Sequence, residues 1–235
     1  DRIAAAAGRG RARQFVGGCV MIEFTLWDIV RNLLFATRWT VALSLAAFVG
    51  GASVGVLILI LRISRTGWLR RFGKGYIALF QGTPLLMQLF LIFFGMPMLG
   101  FRIEPWTAAV LCLTFYASAY LAEIWRSGVE ALPSGQWDAA ASLGLHRVQE
   151  LRLIILPQAF SITRAPIVGF LVQLIKATAL TSIIGFDELL RTSNAINNAT
   201  FEPFRVYGLV ALIFFILCFP LTQYARMLEA RQIAH

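Results

Sequence analysis

Five stretches of this chain are apolar over the length a bilayer demands, which leaves few folds open. A membrane helix needs about 20 apolar residues, because a rise of about 1.5 Å per residue must cover about 30 Å of hydrocarbon. Trp39 to Leu61, Ile77 to Leu99, Trp106 to Trp125, Phe160 to Gly185 and the shorter Val206 to Leu221 meet that demand. Gly82-Thr83-Pro84 interrupts the second, Glu123 lies near the end of the third, and the fourth carries Arg164 and Lys176. Composition agrees, with 58% hydrophobic residues, 14% charged and a mean hydropathy of +0.72. Water-facing domains carry about a quarter charged residues, so this chain cannot cover a soluble globule. The 19 Phe and 6 Trp exclude disorder. Three cysteines, with Cys112 and Cys218 inside apolar runs, exclude a disulfide scaffold. The expected class is an all-α membrane protein.

The net charge of +9 falls between the apolar runs. No aromatic-basic platform of the kind that stacks bases is present, so the charge reads as topology and not as nucleic-acid binding. Arg62, Arg65, Arg70, Arg71 and Lys74 crowd the first loop; Arg126, Arg147, Arg152 and Arg164 flank or occupy the third; Arg226 and Arg231 sit in the tail. The loop around Phe101 to Pro105 has only Arg102, and that from Phe186 to Arg205 only its two arginines. The basic loops and the C-terminus are thus expected in the cytoplasm and the N-terminus outside. This divides the chain into an extracytoplasmic segment (1–30), a transmembrane domain (31–230) holding a cytoplasmic loop (126–157), and a cytoplasmic tail (231–235). The basic arm of Arg2, Arg9, Arg11 and Arg13 runs against this topology, and Met21-Ile22-Glu23-Phe24 reads as a natural start. Residues 1–20 therefore read either as an upstream extension or artefact, or as native chain. As a signal peptide they fail, because Phe15 to Ile22 is too short and glycine-rich.

The loop from Arg126 to Gln158 is too polar for lipid and reads as two amphipathic helices. Leu132-Pro133-Ser134-Gly135 breaks the chain, and Ser134 or Gly135 is placed to cap a helix through Trp137, Ala140 and Leu143 that continues past Gly144. Gly144 marks a bend, and Pro157 is placed to open the fourth span, where a missing N–H costs nothing. Asp138-Ala139-Ala140, Gly144 and Ile155-Leu156-Pro157 resemble the cytoplasmic signature of ATP-binding-cassette (ABC) importer permeases, Glu-Ala-Ala, then Gly, then Ile-x-Leu-Pro. Ala119-Tyr120-Leu121-Ala122-Glu123-Ile124-Trp125-Arg126, Pro133-Ser134-Gly135-Gln136, Gln81-Gly82-Thr83-Pro84-Leu85-Leu86 and Ile183-Ile184-Gly185-Phe186-Asp187-Glu188-Leu189 resemble the polar-amino-acid branch. The likeness spans about residues 33 to 230.

That resemblance implies a type I importer permease fold: five transmembrane helices and a cytoplasmic coupling helix. It implies a bacterial inner-membrane permease subunit that encloses a path for a polar L-amino acid. The implied partners are a second permease, identical or homologous, two ABC ATPase subunits, a periplasmic or lipid-anchored binding protein, and membrane lipid. The chain itself would hold no cofactor, with ATP and magnesium on the ATPase, and would not be an enzyme. Docking to the ATPase falls to Gln136, Asp138, Ala139, Ala140, Leu143 and Gly144. Asp138 stands where the family has Glu, which alters the ion pair. Lys176-Ala177-Thr178-Ala179-Leu180 departs from the family's Lys-Asp-Thr-Ser-Leu.

At membrane depth a lysine costs roughly 2.5 to 3.5 kcal/mol on insertion scales, so Lys176 needs a wet cavity or a partner. It lies about 24 Å into its helix, so it either meets substrate or snorkels outward. Thr83 and Gln88, beside the proline break, are candidates to line a path with Thr178, Thr181 and Ser182; a plain packing kink explains the break equally well. Gly51 and Gly55 have the small-xxx-small spacing of close helix packing. Asp187 and Glu188 read as exposed carboxylates at the outer mouth. Gly67-Trp68-Leu69-Arg70-Arg71-Phe72-Gly73-Lys74-Gly75 is no phosphate loop: it has one residue too many and ends in Gly. His146 and His235 are too far apart in sequence to suggest a metal pair. Two rivals stand beside the importer reading. An ATPase-independent channel or carrier leaves the loop unexplained, and an intramembrane hydrolase lacks a nucleophile with a base at membrane depth.

Overall fold

A computed structural model describes residues 25–64 and 66–233. The basic N-terminal arm, the start at Met21, Arg65 and His235 lie outside the described residues. Helix α1 runs Leu26–Ile63, α2 Gly67–Gly82, α3 Leu85–Met98 and α4 Pro105–Glu130. Then follow α5 Ser134–Ser142, α6 Arg147–Gln149, a π-helical turn Glu150–Ile155 and α7 Leu156–Ala177. A 3-10 turn Thr178–Ser182, α8 Leu189–Thr200 and α9 Pro203–Ile233 complete the chain. Among the described residues four helical runs are long and apolar enough to cross a membrane: α1, α4, Arg147–Ser182 and Pro203–Arg231.

The core is α1 laid against α4. Ile29, Leu33, Ala36, Thr40, Leu43, Ala47, Gly51, Gly55 and Ile58 of α1 are all buried, a stripe at helical spacing, whereas Leu34, Phe35, Val49 and Leu57 face outward. Where the two helices meet, the contact is backbone to backbone. A Cβ added at Gly51 would sit 2.5 Å from Ala117 Cβ, and one at Gly55 3.1 Å from the Ser118 carbonyl and from the Trp125 ring. Lipid offers no hydrophobic drive between helices, so approach this close supplies the dispersion that holds them. Gly128 of α4 does the same against Ala159 and Thr163 of α7.

The expected second span is not one helix. Pro84 lacks an N–H and forces Thr83 into extended backbone (φ −110°, ψ 143°), so α2 and α3 are bent 99° apart. The 14 residues of α3 rise about 21 Å, less than the hydrocarbon thickness, and only the bent pair taken together counts as a fifth span. Three other boundaries differ. The helix that carries the first span begins at Leu26, ahead of Trp39, and its added turns bury Ile29 and Leu33 against Leu189, Ile196, Val206 and Val210 of α8 and α9. The helix that carries the fourth begins at Arg147, ahead of Phe160: the π turn lets the Leu156 N–H reach Leu151 O, and the chain passes Pro157 without leaving the helix. The loop helix stops at Leu143 and does not run past Gly144, which takes φ +69° and turns the chain.

The α1–α4 contact predicts its own test. Gly51→Leu is expected to destabilise the detergent-solubilised chain by about 1–3 kcal/mol or prevent stable insertion. Gly75→Ala, whose added Cβ meets nothing within 4 Å, leaves the melting temperature unchanged or slightly raised.

Candidate functional site

The candidate path residues form two separate groups. At the α2–α3 break, the Gln88 amide donates to Phe80 O (2.9 Å), Thr83 O (3.1 Å) and Thr83 Oγ1 (2.8 Å). Thr83 Oγ1 in turn donates to Leu79 O (2.7 Å). Gln88 thus staples the two half-helices by satisfying carbonyls that the proline break leaves free. Its own Oε1 is buried without a partner, an open acceptor in the wall of the break. The second group lies in the 3-10 turn. Thr178, Thr181 and Ser182 are buried, and their hydroxyls donate to the carbonyls of Ile175, Thr178 and Ala179 at 2.7, 2.7 and 2.8 Å. Among the described residues no hydrogen bond joins the two groups. Lys176, in the last turn of α7, is exposed and forms no ion pair among the described residues.

The connection after the 3-10 turn corrects one expectation. Asp187 is exposed and pairs with Arg191 (2.7 Å), but Glu188 is 0% exposed. Its carboxylate caps α8 by accepting from the Arg191 N–H (2.8 Å), while Thr40 Oγ1 of α1 accepts from the Leu189 N–H (3.2 Å). The other carboxylate oxygen is buried with no partner. Burial raises the Glu188 pKa to about 7, against the opposing hydrogen bonds from the Leu190, Arg191 and Leu189 N–H groups and the Thr40 hydroxyl. A sequence signal existed in Leu189, Ser193 and Ile196, the buried stripe of a short amphipathic helix that begins just after it.

In the loop, α5 rests on Val129, Leu132, Ile155 and Ala159, with Trp137 and Leu151 packed against them. Ala140 is fully buried. Gln136, Asp138, Ala139, Leu143 and Gly144 are exposed, Leu143 by 73%. Gln136 Oε1 accepts from Gln158 (3.1 Å), which ties α5 to the start of α7. Of the six proposed docking residues, five lie on the accessible surface and Ala140 anchors the helix from below. Arg147, 4.7 Å over the Trp137 ring, closes the loop from α6; ten residues apart with a turn between them, the two leave no local pattern to read.

Residues 51–233 match the family described as binding-protein-dependent transport system inner membrane component. A probable amino-acid ABC transporter permease protein of Bacillus subtilis (strain 168), YckA, is 34% identical over 225 residues, covering 92% of this chain and 99% of its own length. An L-cystine transport system permease protein of the same organism, TcyB, is 31% identical and covers 90% and 89%. A crystal structure of an amino acid ABC transporter with histidines superposes with a TM-score of 0.82 at 30% identity, over 89% of this chain and 99% of that one. A methionine ABC transporter shares the fold at a TM-score of 0.70 and 21% identity, over 84% and 95%.

The chain belongs to the family of binding-protein-dependent transport system inner membrane components. It is a multi-pass permease subunit of an ABC importer, and neither a free-standing channel nor a hydrolase is favoured.

The buried carboxylate sets a pH dependence. Its folded pKa is raised from 4.5 to about 7, so the folded state holds the proton more tightly than the unfolded chain. The stabilisation is complete below about pH 4.5 and is lost as pH rises through about 7, about 3 kcal/mol in all as an upper bound. The melting temperature of the wild type is expected to fall across that window. Glu188→Gln, which keeps an acceptor for the cap, flattens the slope.

Proposed function

We propose that the chain forms one half of the translocation path of an ATP-driven importer of polar L-amino acids and receives the ATPase stroke through its loop. Its partners are a second permease, two ABC ATPase subunits that hold ATP and magnesium, and a binding protein that delivers the substrate. The relatives named for amino-acid and cystine transport support the substrate class. The placement follows from the loop charges: N-terminus outside, and Arg126–Pro157 and the C-terminus in the cytoplasm. Lys176, exposed and unpaired on the single chain, is the cation suited to the carboxylate every amino acid carries. The open Gln88 acceptor and the Thr83, Thr178, Thr181 and Ser182 region form the polar lining.

The observation that carries the coupling role is the seating of α5. A nine-residue helix is fixed to the ends of α4 and α7 through Trp137 and the Gln136–Gln158 hydrogen bond, while Asp138, Ala139, Leu143 and Gly144 remain open to a partner. Leu143, 73% exposed beside the left-handed Gly144, is an apolar side chain left open at the end of that helix. Gly144→Asp adds bulk at a φ of +69°, and Asp138→Lys reverses the charge. Each is expected to cut co-purification of the ATPase about tenfold or more, with the permease still inserted. Retention of the ATPase at wild-type levels by both variants rejects the loop as the coupling site.

A further inference from the structure

A cavity of about 250 Å³ lies where the ends of α1 and α4 meet α2, α5 and α6. Its lining includes Arg62, Arg70, Arg126 and Arg147 against one carboxylate, Glu130, with Trp137 in the wall. Arg126 is already held by Glu123 (2.6 Å) and by Glu130. Arg62, Arg70 and Arg147 form no ion pair among the described residues, and Arg62 Nε is buried with no acceptor. Four guanidinium groups against two carboxylates, Glu130 in the lining and Glu123 acting on Arg126 and Arg62, leave the cavity net positive, with Arg62 Nε its buried open donor. Planar forks of this kind match the oxygens of a phosphate.

The neighbouring face of α2 selects the source of that phosphate. It presents Trp68 (73% exposed), Phe72, Arg71 and Lys74 to the surroundings, the mixture that lies in a headgroup layer. The anion abundant in that layer is a phospholipid phosphate.

We infer that this cavity is a binding site for the phosphodiester headgroup of an anionic phospholipid, held by Arg62, Arg70 and Arg147. It uses the inside placement proposed above. The lipid ties α2 to α6, the short helix that follows the loop helix, because Arg70 comes from one and Arg147 from the other.

The test uses the full chain co-expressed and purified with its ATPase. Native mass spectrometry follows retained dioleoylphosphatidylglycerol, with dioleoylphosphatidylcholine as the zwitterionic control. The wild type is expected to retain phosphatidylglycerol in preference to phosphatidylcholine. The exposed pair R70Q/R147Q, which also gives up the Arg147 stacking on Trp137, loses about thirtyfold in affinity, at about fivefold for each basic residue. R62Q reports separately on the buried guanidinium. Equal retention by wild type and the double variant, or of both lipids by the wild type, overturns the proposal. Displacement by millimolar inorganic phosphate assigns the site to a soluble anion and overturns the lipid. Loss of the ATPase with unchanged lipid retention in R70Q/R147Q assigns the arginines to a carboxylate of the ATPase and overturns it too. Because lipid retention is read apart from ATPase retention, failure here is distinct from failure of the coupling assignment.

Discussion

Everything in this fold is hung on the contact between α1 and α4. In water such a pair would be driven together by removal of apolar surface; in lipid that drive is absent, and only atoms at van der Waals distance hold it. Gly51 and Gly55 provide the distance by having no side chain, and Ala117 and Ser118 answer with the smallest ones available. At one end of the pair Trp39 packs edge-on to Trp106 at 6.0 Å, and Trp106 packs on Phe186 at 5.3 Å, so the connection after the 3-10 turn is fixed to the same two helices. At the other end Arg126 and Trp125 of α4 face the loop and α7. The two polar regions are positioned from opposite ends of one scaffold.

Much of this was legible in the sequence because lipid simplifies the code. Length and hydropathy suffice for a span, and Gly51-to-Gly55 spacing suffices for a close contact. Boundaries were legible only where polarity changes abruptly, as at Pro105 before α4. Helix ends were not legible where a helix extends past its apolar run to pack on its own chain, as the first turns of α1 do on α8 and α9. Such turns look polar at Asp28 and Arg31, and their reason lies in residues more than 150 positions away.

The break at Pro84 shows the opposite limit. The proline was visible, and so was the choice between a kink and a path, but the angle follows from Gln88, which satisfies the freed carbonyls and so stabilises a right-angle turn instead of a slight bend. Glu188 was misread for a related reason. A carboxylate next to Asp187 looks solvated, and only the presence of α8 turns it inward as a cap against Thr40. In the loop the residues carrying the family signature were readable one by one, while their division into one buried anchor, Ala140, and five exposed positions depends on the seat formed by Val129, Leu132, Ile155 and Ala159.

The unbroken run from Arg147 to Ser182 has a mechanical consequence. Thirty-six residues of continuous helix make a shaft about 54 Å long, with the loop at one end and the Thr178–Ser182 turn at the other. The hydrogen-bond ladder along that shaft is interrupted twice, by the π turn at Glu150–Ile155 and by Pro166, which has no N–H to donate, so a twist applied at Arg147 passes two softened turns before it reaches Lys176.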